Sequence, residues 1–335
     1  MESIFTAILI SFTLALILSP LVINLVKKLK LKQNIYEYVD MHKSKQGTPT
    51  MGGIIFIVAC VLGSICLFKE NSKLAYISLT IMVLMGVLGF LDDFIKVFFK
   101  RNLGLKPYQK IIGQVAIGLI LSVYAYSSNL VGSRIFVPFT TISFDLGIFY
   151  IPLMLFVFIA ITNSVNLTDG LDGLAGGVSV AYLSSFIIVL MLLLRNQPSE
   201  LMSLELVNEN MNMIILNSAM IGGLLAYLMR NCFPASVFMG DTGSLALGGL
   251  IGATAISTGQ VLLIPILGIM FVISCVSVVI QVIYYKLTKK RVFLMAPLHH
   301  HFEKKGMNEN KIVVIYIVIT IIIGALGILL TLLLN

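Results

Sequence analysis

The chain has 335 residues, 58 % of them hydrophobic and only 11 % charged, with no tryptophan. A water-soluble domain carries about 25 % charged residues, so no sizeable soluble domain is expected, and recurring apolar windows long enough to cross a bilayer predict an all-α polytopic membrane protein. The net charge of +8 would suit nucleic acid or an acidic membrane surface, and its distribution decides for the membrane and against nucleic acid.

Ten transmembrane helices are predicted within a single domain, 1–335, at 3–26, 50–68, 74–97, 109–127, 146–163, 173–194, 211–229, 238–258, 261–286 and 312–334. The first reads as a span and not a cleaved signal, because Met1, Glu2 and Ser3 supply no basic leader. Asp241, Gly243, Gly248 and Gly249 interrupt the eighth, and the ninth is long enough to continue beyond the bilayer as a helix. Nineteen of the 23 basic residues then fall on one side: Lys27, Lys28, Lys30, Lys32, Lys43 and Lys45, then Lys96, Lys100, Arg101, Lys106 and Lys110, then Arg230, then Lys286, Lys289, Lys290, Arg291, Lys304, Lys305 and Lys311. Lys69, Lys73, Arg134 and Arg195 fall on the other. The positive-inside rule makes the richer side cytoplasmic and both termini extracytoplasmic. Of the outer loops, 128–145 holds two β-prone stretches, Arg134–Pro138 and Thr141–Phe144, that suggest a short hairpin. Residues 196–210, with Glu200, Glu205 and Glu209, suggest a short surface helix, and both loops read as solvated connectors. The four cysteines are scattered, without metal-ligand spacing.

The rare polar residues gather on the cytoplasmic side. The first loop ends in Lys43 to Gly53, where Thr48 suits a helix cap and Pro49 a first turn. Its lysines serve an anion or simply anchor the loop. Asp92 and Asp93 end the third span, and adjacent helical residues point about 100° apart, so the two acids take different roles. One would act on a phosphate or metal, and the other would hold Lys96 or a neighbouring helix end. Lys96 is within reach of either. The pair reads as a snorkelling helix end or as a magnesium or phosphate site, carboxylates suiting a hard cation and lysine a phosphate. Asn163, Asn166 and Asp169 share a helical face before Gly170, Asp172 and Gly173 loosen the backbone. They make an interfacial turn or line a polar cavity. Asp241, between glycines, caps a helix or meets a metal, while Asn231 and Phe238 offer an amide and a ring to a base. His299, His300 and His301 are too close along one strand or turn to close on a tetrahedral zinc ion, and they suit phosphate oxygens beside Lys304 and Lys305. The remaining histidine, His42, lies on the same face. The competing classes are a non-enzymatic membrane scaffold and a transporter, whose site would sit near the midplane between inverted repeats; no motif repeats between the halves here.

Lys45 to Gly53, Gly89 to Lys96, Asn163 to Ala175, Met239 to Ser244 and Pro297 to Glu303 are the stretches on which a resemblance rests. In this order, and over essentially the whole chain, they resemble the bacterial phospho-N-acetylmuramoyl-pentapeptide transferase branch of the polyprenyl-phosphate N-acetylhexosamine-1-phosphate transferases, of glycosyltransferase family 4 type. The acid pair and the Asp-Gly stretch belong to the superfamily; the triple histidine and the run from Gly47 to Gly53 point to this branch. Phe94 stands where an aromatic such as tyrosine is common. The resemblance implies a multi-pass enzyme of the bacterial inner (plasma) membrane, usually a homodimer, with its active site on the cytoplasmic face. Such an enzyme joins UDP-N-acetylmuramoyl-pentapeptide to undecaprenyl phosphate, giving lipid I and UMP, with magnesium. It further implies Asp241 as the metal ligand and Asp92 and Asp93 as essential acids, one of them the base. Asp169, Gly170, Leu171, Asp172, Asn231 and Phe238 would form the nucleoside pocket with Lys45 beside it. Asn163 and Asn166 would support the site, and His299, His300 and His301 would flank the diphosphate. Lys96 and magnesium would relieve the repulsion between two anionic reactants. Direct attack by the lipid phosphate is favoured over an aspartyl-phosphate intermediate, because the nucleophile is already an oxyanion. A sibling that transfers an aminosugar phosphate without the peptide is the alternative within the family.

Overall fold

In hydrocarbon every backbone N–H and C=O must find its partner within the protein, and a helix supplies that partner locally. The long apolar runs of this chain accordingly form helices in the computed structural model, which describes residues 2–29, 45, 47–99, 104–196 and 203–334. His42, Lys30, Lys32, Lys43, Lys100, Arg101 and Glu200 lie outside the described residues. In chain order the helices are α1 (Glu2–Lys28), α2 (Gly53–Ile65), α3 (Lys73–Phe98), α4 (Pro107–Ser127), α5 (Tyr150–Thr168) and α6 (Leu174–Arg195). They continue with α7 (Leu204–Asn231), α8 (Gly240–Ser257), α9 (Ile264–Leu267), α10 (Ile269–Thr288), α11 (Leu298–Lys304) and α12 (Glu309–Leu334). Between α4 and α5, β1 (Arg134–Phe136) pairs antiparallel with β2 (Ser143–Asp145), Arg134 opposite Asp145. That is the hairpin the sequence suggested.

Eight helices among the described residues are long and apolar enough to cross a membrane: α1, α3, α4, α5 with the turn before it, α6, α7, α10 and α12. Two expected spans, 50–68 and 238–258, correspond to α2 and α8, which are not among the eight. The 13 residues of α2 reach about 20 Å at 1.5 Å per residue, short of a hydrocarbon core of about 30 Å. In α8 five glycines and Asp241 dilute the apolar content.

The reason α8 tolerates that composition is its position. From Thr242 to Ser257 every residue is buried, with α3, α5 and α2 packed around it. A helix enclosed by other helices gains more from small side chains and close backbones than from large apolar ones. The approach is closest at Gly89, where an added Cβ would strike the carbonyl of Asp241. Thus α3 and α8 touch backbone to backbone beside the acids that each carries. Elsewhere α1 packs along α7 and α12 along α6.

Two local expectations are corrected. Thr48 and Pro49 do not open a helix: Met51 takes a left-handed φ of 67°, and α2 starts only at Gly53. Residues 49–53 instead pair with the entry to α8, with Phe238 N donating to Pro49 O (2.8 Å), Gly52 N to Phe238 O (2.8 Å) and Gly53 N to Met239 O (3.1 Å). Nor is the expected surface helix within 196–210 merely solvated: its residues from Leu204 open α7. Glu209 is buried within α7, and its carboxylate accepts Lys73 N (2.8 Å) and Leu74 N (3.0 Å), satisfying free donors at the start of α3. Asn212 accepts Lys69 N at 2.8 Å beside it.

Gly89→Ala is expected to destabilise the protein, because α3 and α8 would have to separate; overpacking of this kind costs about 1–3 kcal/mol. A thermal melt in detergent checks it, and an unchanged midpoint would show that the two backbones have room to spare.

Candidate active site

Four helix ends meet at one end of the bundle. The last turns of α3 bring Asp92, Asp93 and Lys96, the first turn of α4 brings Lys110, the last turn of α5 brings Asn166, and the first turn of α8 brings Asp241. Lys96 Nζ lies 2.6 Å from Asp92 Oδ2, four residues back on its own helix, and 2.6 Å from Asp241 Oδ2. Lys110 Nζ reaches the same Asp241 oxygen at 2.8 Å. The other oxygen, Asp241 Oδ1, accepts from Asn166 Nδ2 at 2.6 Å, and Asn166 also donates to Ser244 Oγ at 2.8 Å.

The adjacent acids divide as helix geometry requires. Asp93 accepts from Asp241 N (3.2 Å), Thr242 N (2.9 Å) and Thr242 Oγ1 (2.7 Å). It therefore holds the N-terminus of α8, satisfying donors that α8 cannot satisfy itself. Asp92 accepts Leu105 N through Oδ1 at 2.9 Å and the Lys96 ammonium through Oδ2. Asn163 lies farther along α5 and pairs with Gln114 of α4 at 2.7 Å, so the amides three residues apart serve different partners.

Below this cluster the chain turns between α5 and α6. Asp169 and Gly170 form the turn, Leu171 and Asp172 are buried, and Gly173 begins α6 with a φ of 79°. The histidines of α11 press on this turn: a Cβ at Gly170 would collide with Nε2 of His299 and come within 3.0 Å of His300 Nε2. His300 Nδ1 is 2.6 Å from Glu303 Oε2. His301 faces elsewhere, its Nδ1 accepting Leu294 N at 3.1 Å. The triple histidine is thus two rings against the Asp169–Gly170 turn and one holding the segment before α11.

Lys45 closes the far side of the turn. Its ammonium lies 2.8 Å from Asp172 Oδ1 and 2.6 Å from Glu309 Oε1, and 5.4 Å from the centre of the half-exposed Phe233 ring. Asp172 Oδ2 accepts Ala235 N at 2.9 Å. Asn231 spans the same region, accepting Gly173 N (3.0 Å) and donating to Val237 O (2.9 Å). Its amide therefore braces the walls. Phe238, partly exposed, sits on the backbone pairing with residues 49–52.

Lys110, Gln114, Thr242, Phe233 and Glu309 were not singled out from the sequence. Gln114, four residues after Lys110 in an otherwise apolar span, was the available signal, since a lone amide in hydrocarbon needs a partner. Glu309 gave none, being an ordinary acid in the first turn of a helix.

The donor set fits a divalent cation. Single oxygens of Asp92, Asp93 and Asp241 lie within 4.8 Å of one another, and carboxylate oxygens suit a hard ion. With Asp93 committed to α8, Asp92 and Asp241 are the better placed to hold the ion. Three carboxylates face two ammonium groups, so with all three acids ionised one negative charge is left for it. The two lysines in turn offer positive charge to a phosphate.

A model of glycosyl transferase family 4 matches residues 74–259. The first signature of phospho-N-acetylmuramoyl-pentapeptide-transferase matches residues 45–57, the segment that pairs with the entry to α8. The chain is similar to phospho-N-acetylmuramoyl-pentapeptide-transferase of Clostridioides difficile, 42 % identical over 98 % of this chain and 97 % of the relative. It is likewise similar to that of Thermoanaerobacter sp., 42 % identical over 96 % of each. That of Desulfitobacterium hafniense is 40 % identical over 98 % of this chain and 97 % of the relative.

Asp169 gives a pH prediction. Burial pushes its carboxyl well above the ordinary value of 3.8, and the charges of Asp241, Asp93 and Asp172 push the same way. Between 3.8 and the raised value the folded chain keeps a proton that the unfolded chain has lost, so this group makes stability fall as pH rises through that window. Asp169→Asn removes the effect, and its thermal midpoint should exceed that of the unaltered chain by more at pH 8 than at pH 5. An advantage that is equal or larger at pH 5 would contradict the shift.

Proposed function

The chain belongs to the phospho-N-acetylmuramoyl-pentapeptide-transferase family, and from that premise we propose how its clustered acids and lysines carry out the reaction. The protein is a multi-pass bacterial plasma-membrane enzyme that catalyses the lipid I-forming reaction, transferring phospho-N-acetylmuramoyl-pentapeptide from its UDP conjugate to a polyprenyl phosphate. The observation that carries the mechanism is the convergence of Asp92, Lys96, Lys110 and Asp241 within ion-pair distance.

Both reactants are anions, and their approach is opposed until positive charge lies between them. Lys96 and Lys110 would supply it, bridging from the carboxylates to phosphate oxygens as charge builds on the transferred phosphoryl group. Magnesium, held by Asp241 and Asp92, would add Lewis-acid stabilisation of that phosphoryl group. An oxygen of the lipid phosphate bonds to the phosphorus that bears the sugar as the bond from that phosphorus to the oxygen of UMP breaks. Direct attack is supported by the engagement of both acids: Asp93 holds α8 through both its oxygens, and Asp92 is bonded to Leu105 N and Lys96. Asp93 is thereby held away from a nucleophile's role, and the ion pair with Lys96 disfavours one for Asp92. Asp92, nearer the lysines, is the better candidate for base, and a weak base suffices because a phosphomonoester loses its second proton near neutral pH.

The nucleoside would lie against the 169–173 turn, with Gly170 and Leu171 giving it close approach, Asp169, Asp172 and Lys45 offering polar contacts and Phe238 a ring. Asn163, Asn166 and Asn231 would hold these elements in place. His299 and His300 would face the diphosphate from the other side of the turn, with His301 anchoring their helix. The collection of basic residues at the same helix ends supports a cytoplasmic site, ten membrane segments with α2 and α8 counted, and both termini outside. The chain from 1 to 335 acts as one domain in this reading. The family resemblance supports undecaprenyl phosphate as acceptor, a homodimer as assembly and no role for nucleic acid.

UMP release from UDP-N-acetylmuramoyl-pentapeptide, dependent on both undecaprenyl phosphate and magnesium, tests the reading. Asp241→Asn and Lys110→Met should each lower kcat about a hundredfold or more, the scale of one lost electrostatic contact to a transition state. Full turnover in Lys110→Met would remove that lysine from the chemistry. Stoichiometric UMP release without lipid would replace direct attack by a covalent intermediate.

A further inference from the structure

Glu309 has no role in the reaction as described above, yet it is one of the most heavily bonded carboxylates outside the acid cluster. It stands in the first turn of α12, where an acid ordinarily serves its own helix. That task falls to its neighbour here: Asn308 Oδ1 accepts Asn310 N at 3.0 Å, and Asn308 O accepts Lys311 N and Ile312 N. Glu309 turns instead to the far side of the 169–173 turn. Its Oε1 accepts Lys45 Nζ at 2.6 Å and Asp172 N at 2.7 Å, and its Oε2 accepts Lys45 Nζ at 2.8 Å.

The result is a closed ring of three residues. Lys45 lies between the carboxylates of Asp172 and Glu309, and the backbone N–H of Asp172 returns to Glu309. The side chains of Lys45, Asp172 and Glu309 are only 12 %, 3 % and 10 % exposed, so water contributes little to holding the ammonium. Lysine has a long flexible stem and three donors. Without Glu309 it would keep one carboxylate partner and several rotamers. With Glu309 it is fixed against Asp172 and beside the Phe233 ring, at the edge of the proposed nucleoside pocket.

We propose that Glu309 is a positioning residue for the nucleotide substrate, fixing the Lys45 ammonium and the Asp172 backbone in the arrangement that receives the nucleoside. The proposal rests on the reading that this turn binds the nucleoside. It also ties α12 to a pocket built from residues 137 and 264 positions earlier.

Glutamine separates the two bonds that Glu309 makes. Glu309→Gln keeps an oxygen for Asp172 N but loses the charge that holds Lys45. In the full-length enzyme it should raise KM for UDP-N-acetylmuramoyl-pentapeptide about tenfold, with kcat within about twofold, the signature of lost ground-state binding. KM for the polyprenyl phosphate should not move, and Glu309→Asp should recover part of the loss. In a Lys45→Met background Glu309→Gln should add nothing, since it acts through that lysine. UMP binding by calorimetry should weaken in parallel. If Lys45→Met raises the nucleotide KM while Glu309→Gln leaves it unchanged, the proposal is wrong and the pocket stands. If Glu309→Gln raises both KM values and lowers the melting temperature, the residue is only structural and the proposal is equally wrong. Should Lys45→Met, Asp172→Asn and Glu309→Gln all leave the nucleotide KM unchanged, the pocket itself is misplaced and the proposal falls with it.

Discussion

The N-terminus of α8 is enclosed by protein, and its free N–H groups need acceptors that water cannot supply there. Asp93, reaching across from α3, supplies them, and much of the site follows from that one interaction. To make it, α3 must lie against α8 closely enough that residue 89 has no side chain. The contact brings Asp92 and Asp241 together as well. Three carboxylates so close repel one another unless cations stand between them. Lys96 comes from the next turn of α3 and Lys110 from the start of α4, while the amide of Asn166 takes the remaining oxygen of Asp241. Assembling the fold and assembling the charge cluster are therefore one event.

This coupling gives the enzyme an electrostatic centre held at the ends of four helices. Its two reactants arrive from different phases, a nucleotide conjugate from water and a phosphate carried on a lipid. The acid and lysine cluster lies at the ends of α3, α4, α5 and α8, a position that in the proposed reading lets a membrane-anchored phosphate reach it without leaving its lipid. The turn after α5 adjoins the cluster through Asn166 and meets the histidines of α11 at Gly170. Backbone pairing of residues 49–53 with 238–239 joins the loop that carries Lys45 to the entry of α8. The acid cluster and the 169–173 turn, to which the proposed reading assigns the diphosphate and the nucleoside, thus share walls.

Much of this was legible in the sequence wherever the relevant partners lie on one helix. The four-residue spacing of Asp92 and Lys96 forecast their ion pair, and the angle between Asp92 and Asp93 forecast their different duties. Partners far apart in sequence were harder. Lys110 looked like one more positive charge at a helix end, because nothing in its neighbourhood reveals Asp241, 131 residues away. Asn231 offers an amide to a base in the sequence, and its bonds to Gly173 and Val237 are an added duty that its neighbourhood does not reveal. Thr48 and Pro49 read as a helix start because their local preferences say so; backbone pairing with residue 238 overrides them. Glu209 read as solvated because its neighbours are acids and leucines, and the helix terminus it serves belongs to another part of the chain.

In the proposed mechanism Asp241 and Asp92 would hold the divalent cation while Asp93 holds the helix. Manganese offers a direct measurement, since its paramagnetic resonance counts bound ions in purified protein without requiring turnover. The account predicts a manganese site in the unaltered chain that is lost in Asp241→Asn and weakened in Asp92→Asn. It also predicts phosphorus coupling to that ion when the UDP substrate is added. Undiminished manganese binding in Asp241→Asn, with the phosphorus coupling intact, would contradict it.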